Sequence, residues 1–64
     1  MAQAALADIE RTVERLQRRY TTSPHYAAYL VMCRRFEADL DDRRDLALAK
    51  SAALMLIKQL EGDG

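Results

Sequence analysis

The stretch Leu40-Asp41-Asp42-Arg43-Arg44-Asp45-Leu46 decides whether this chain folds as two helices or three. It contains neither glycine nor proline, so composition alone would let a helix run straight through it. Phase argues otherwise. A helix turns by about 100° per residue. Continued at that step, the polar Ser51 and Lys58 would lie under Tyr26, Cys33 and Leu40, while Leu46, Ala49, Ala53, Leu56 and Leu60 would point almost the opposite way. Either the chain breaks near Asp41 and Asp42, or one long helix buries opposite faces in its two halves. A break has local chemistry on its side, because Asp41 or Asp42 can cap a helix and Asp45 then falls in its acidic first turn. The expected fold is all-α: a small bundle of three helices over roughly 2–20, 24–40 and 43–61, forming a single domain over 1–64 completed by oligomerisation. A helical hairpin with a long, broken second helix is the alternative.

Toward the amino terminus, Ala2, Leu6, Ile9, Val13, Leu16 and Tyr20 are spaced alternately four and three apart, the seam of a helix packed lengthwise on another. Asp8 and Glu10 lie early and Arg15, Arg18 and Arg19 late, the order that complements the helix dipole, and Glu14 stands four residues before Arg18. Thr21-Thr22-Ser23-Pro24 punctuates the chain: Ser23 can accept from a free amide and Pro24 suits the first helical position. The second seam is Tyr26, Tyr29, Cys33, Phe36 and Leu40, with Leu30 widening it. In the last helix Leu48, Ala52 and Met55 flank the row Leu46, Ala49, Ala53, Leu56 and Leu60, and Leu54 falls near the polar strip. Apolar residues surround most of that helix. It therefore needs several neighbours, some of them from another molecule, and the expected partner-binding residues are Leu46, Ala49, Ala53, Leu56, Leu60, Leu48 and Met55.

Composition narrows the function. A chain of 64 residues buries only about 60% of the surface it exposes when unfolded, and such cores usually need a disulfide, a metal or a partner. Cys33 is the sole cysteine and His25 the sole histidine, which leaves no disulfide framework and no soft zinc set. Ten acidic residues balance ten basic ones, against a chain that simply coats nucleic acid or an anionic membrane. Glycine and proline are scarce, with Gly62 and Gly64 at the tail and Pro24 alone inside. Met1 to Leu6 has no basic flank and Asp8 interrupts the apolar run, unlike a signal peptide. No stretch reaches the roughly 18 apolar residues of a membrane span. The expected location is the cytoplasm.

No catalytic or cofactor site is expected. His25 and Cys33 lie two helical turns apart, about 12 Å along the axis, too far to share a proton. His25 reads as a solvated first-turn residue and Cys33 as a small core residue. Asp41, Asp42 and Asp45 lack the glycine of a calcium loop and read as caps and solvated charges. The arginine doublets Arg18-Arg19, Arg34-Arg35 and Arg43-Arg44 suit phosphate, but acidic neighbours from Glu37 to Asp45 point to a salt-bridged surface, so nucleic acid is the lesser expectation.

Two segments resemble the small helical-hairpin co-chaperones that hold type III secretion needle subunits in the bacterial cytoplasm. Ala49-Lys50-Ser51-Ala52-Ala53-Leu54-Met55-Leu56-Ile57 is similar to the small-residue pair and aliphatic run of that family's last helix. Ser23-Pro24-His25-Tyr26 resembles its interhelical turn. Together they cover less than half of the chain and stand farther apart than in that family's pattern. The resemblance implies a helical pair docking on a larger repeat-built chaperone to shield an aggregation-prone needle subunit, with Leu46, Ala49, Ala53, Leu56 and Leu60 toward the partner.

Overall fold

The computed structural model describes residues 2–62, with side chains from residue 5 onward. It comprises α1 (Ala2–Tyr20), α2 (Tyr26–Asp39) and α3 (Arg43–Leu60), and no strand occurs among the described residues. Ala2 as a seam side chain, and Gly64, lie outside what is described.

Helix α1 buries Val13, Leu16 and Tyr20 and half-buries Leu6 and Ile9, so its three-four spacing is a true inward stripe. It ends where side chains begin to compete for its backbone. The Thr21 hydroxyl donates to the Gln17 carbonyl, and the Ser23 amide donates to the Tyr20 carbonyl at 2.9 Å. Ser23 then captures an amide as expected, its Oγ accepting from the His25 N–H at 3.1 Å. Regular helix nevertheless starts at Tyr26 and not at Pro24. His25 is the residue at the cap, and the Tyr26 N–H is satisfied by the Ser23 carbonyl at 3.0 Å in a preceding turn.

The acidic joint breaks the chain. Leu40 (φ −110°, ψ 121°) and Asp42 (φ −77°, ψ 123°) are extended, and the Asp42 carboxylate accepts from the Arg44 N–H at 2.8 Å, opening α3 as its N-cap. Asp45 sits in the first turn of α3 and Lys58 in the last, both favourable to the dipole. At the far end Glu61 N–H reaches the Ile57 carbonyl at 2.9 Å and Gly62 takes φ 68°, a left-handed stop that costs a side-chain-bearing residue about 1–2 kcal/mol.

Helix α3 occupies the middle. It packs against both α1 and α2, which touch each other little, and the Cα envelope is a slab of 33 × 25 × 15 Å. One core unites Val13, Leu16 and Tyr20 with Tyr29 and Cys33 and with Ala53, Leu54 and Ile57, with Ile9, Tyr26, Met32 and Phe36 packed around it. Full burial of a residue such as Leu54 or Ile57 contributes about 1.5–3 kcal/mol.

Two expectations need correcting. Leu54, expected near the polar strip, is completely enclosed; Ala47, Leu54 and Ile57 face inward, and the small Ala47 and Ala53 let neighbouring helices approach closely. Leu30 does not widen the buried face of α2 but is exposed, and Met32 on the other flank packs on the core instead.

Candidate interaction site

The inward set of α3 fixes what is left outside. Leu48, Met55, Leu56 and Leu60 keep 46%, 45%, 48% and 57% of their surface in water, and Ala52 between them is exposed as well. From Leu48 to Leu60 the row rises about 18 Å along the axis. Of the other residues expected to meet a partner, Leu46 and Ala49 are half-buried at its margin, whereas Ala53 is consumed by the chain's own core. On α2, Leu30 and Val31 are exposed too.

Below this face, the amino-terminal half of α3 meets α1 across a shallow groove of about 290 Å³ lined by Glu10, Val13, Arg43, Leu46, Ala47 and Lys50. Arg43 crosses it: Nη2 lies 2.8 Å and Nε 2.9 Å from Glu10 Oε2, both side chains well exposed. The Gln17 amide donates to the Tyr26 hydroxyl at 3.0 Å, linking α1 to the first turn of α2.

Neither residue of the His25 and Cys33 pair is placed for nucleophilic work on the other. His25 Nε2 lies 3.3 Å from Glu61 Oε2, tying the turn before α2 to the end of α3. The Cys33 thiol is buried. Its partner is Tyr29, whose phenol is pushed well above its usual range by burial and then by the hydrogen bond with Cys33. Tyr29 also stacks obliquely on Tyr26, ring centroids 5.5 Å apart. Of the acidic joint, Asp42 is committed to capping. Among the described residues, no three histidine, cysteine, aspartate or glutamate side chains gather to hold a metal ion.

The basic surface differs from its doublets. Arg11, Arg15, Arg18 and Arg19, with Glu14 among them, line one open face of α1, and the Arg19 guanidinium lies 5.7 Å from the Tyr20 ring centroid. Reading arginines as neighbouring pairs misses Arg11 and Arg15. The signal was present in the spacing of Arg11, Arg15 and Arg18, four and then three apart, which places them on one helix face.

No helix is long and apolar enough to cross a membrane among the described residues. Comparison with known proteins finds no match: no family profile fits the chain, and no characterised protein or solved structure is significantly similar to it.

Proposed function

We propose that this chain is a non-catalytic, cytoplasmic helical protein–protein interaction module that docks through the outer face of α3. The carrying observation is the half-exposed row Leu48, Met55, Leu56 and Leu60 on the very helix that organises the core. Apolar surface presented contiguously on a rigid helix is characteristic of helix-in-groove or shared-bundle recognition. The longer of the two segments that resemble type III secretion co-chaperones, Ala49 to Ile57, falls on this helix, so a needle subunit with its repeat-built chaperone is the named heterologous partner to try.

Affinity capture with the wild-type chain, compared with Leu56→Asp and Val31→Asp, tests the docking face. A bound protein, whether another copy or that needle complex, should be held by the wild type and by Val31→Asp and lost with Leu56→Asp. Retention by Leu56→Asp overturns the reading.

A second reading has its own observation, the row Arg11, Arg15, Arg18 and Arg19 along α1: a homodimeric helical regulator touching nucleic acid through these arginines together with Arg34 and Arg35. Salt separates the two, since phosphate contacts weaken steeply with added salt and an apolar seam does not.

A further inference from the structure

The accessible surface of the chain is 4795 Å², against roughly 4,200 Å² for a compact monomer of its 7.3 kDa mass, a surplus of roughly 600 Å². The slab shape contributes to that surplus: α1 and α2 flank α3 and touch each other little, which leaves the outer side of α3 open. An interface that removed an area of that size from each of two copies would bury about 1,200 Å², the lower bound for a specific, stable one.

The order of residues on that side identifies what covers it. About Ala52 the helix is nearly palindromic in character: Leu48 and Leu56 stand four residues either way, Ala49 and Met55 three, Asp45 and Gln59 seven. These residues lie on the exposed side of α3, with Ala49 half-buried at its edge and Leu60, whose counterpart eight residues the other way is Arg44, beyond the matched stretch. Two such helices laid antiparallel about a two-fold axis at Ala52 bring methyl against methyl at the centre, where helices can approach closely. Leu48 then packs beside the partner's Met55, and Leu56 fills the space over the partner's small Ala49. Asp45 comes opposite the partner's Gln59, whose amide can donate to the carboxylate, so no like charges face each other in the seam. A two-fold interface must be complementary to itself, and the order of residues from Asp45 to Gln59 meets that condition.

We infer that the occupant of the outer face of α3 is a second copy of this chain, packed antiparallel about Ala52 to form a six-helix dimer. This rests on the reading that this face docks protein, and names its partner.

The test is the molar mass of the purified full chain across a concentration series, with helicity followed by circular dichroism, beside two variants. Wild type should run at twice 7.3 kDa, and Leu56→Asp at the single-chain mass with helicity retained. Ala52→Cys, whose new thiol lies on the axis, should form a covalent dimer under mild oxidation, whereas wild type, with Cys33 buried, and Ala38→Cys on the exposed side of α2 should not. A helical wild-type monomer at every concentration overturns the second copy alone, leaving the docking face to a different protein. A dimer that survives Leu56→Asp and gives no Ala52→Cys link overturns this inference, and the reading beneath it falls as well if Leu56→Asp also retains a heterologous protein held by the wild type.

Discussion

Around α3, Leu54 and Ile57 are almost completely enclosed, while Leu56 and Leu60, within a turn of them, keep about half of their surface in water. Side-chain chemistry does not separate these residues. What separates them is the company each face keeps: Ala53, Leu54 and Ile57 meet the core residues of α1 and α2, whereas Leu48, Met55, Leu56 and Leu60 have no covering helix among the described residues. Hydrophobic and small residues thus mark both faces, and only the placement of the flanking helices says which one is the core.

The sharpest way to break that contrast is truncation on either side. Leu54→Ala should cost about 3 kcal/mol through lost burial and a residual cavity, a large share of the roughly 3–5 kcal/mol such a core supplies. Denaturant melts should show the variant left with about 2 kcal/mol or less and its midpoint reduced by more than half. Leu56→Ala should shift the melt of the isolated chain by less than about 1 kcal/mol, because half of the side chain is already solvated. Equal losses at the two positions at concentrations where the chain is monomeric would show that the faces are not distinct.

The joint that sets the phase of α3 gives a smaller effect. Asp42→Ala removes the acceptor of the Arg44 N–H and should destabilise by about 1 kcal/mol, visible as a lower melting midpoint and as faster amide exchange in the first turn of α3. Alkaline titration probes the core from the α2 side. The Tyr29 phenol is held protonated above its normal value of 10.0 by burial and by Cys33. Its contribution is intact below that value and is lost as pH rises toward the folded-state value, because the unfolded chain releases the proton first. Stability should therefore decline above about pH 10, and Tyr29→Phe should remove that part of the decline. The smallest effect belongs to Arg43 and Glu10. Their ion pair is exposed, so a double-mutant cycle should return about 0.5 kcal/mol or less, diminishing with salt.

Much of this architecture is legible in the residues. The stripe of α1 alternates three and four without a competing apolar set, so it has one phase, and Val13, Leu16 and Tyr20 are buried accordingly. The break at Asp41 and Asp42 follows from a clash of phases across a capping residue. The inner face of α3 resists the same treatment because apolar residues surround the helix, and several rotations bury comparable hydrophobic area. Leu54 was hidden there by its neighbours Ser51 and Lys58, both only half-buried. On α2, Leu30 and Met32 lie on opposite flanks of Tyr29, and the choice between them depends on where α3 sits, which no local pattern carries. For the interaction site, the surplus of apolar residues was readable from the sequence, whereas which of them stay outside required the packed helices.

Cys33 gives this molecule a built-in clock. It is the sole thiol of the chain, and its sulfur is shut inside the three-helix core beside Tyr29. A thiol reagent can therefore modify it only during excursions in which the core parts. The labelling rate, set against that of the unfolded chain, converts directly into the free energy of that opening. Because Cys33 lies in the core and not on the outer side of α3, the same rate read at increasing protein concentration reports whether association slows the breathing of the chain, with no residue added to the sequence.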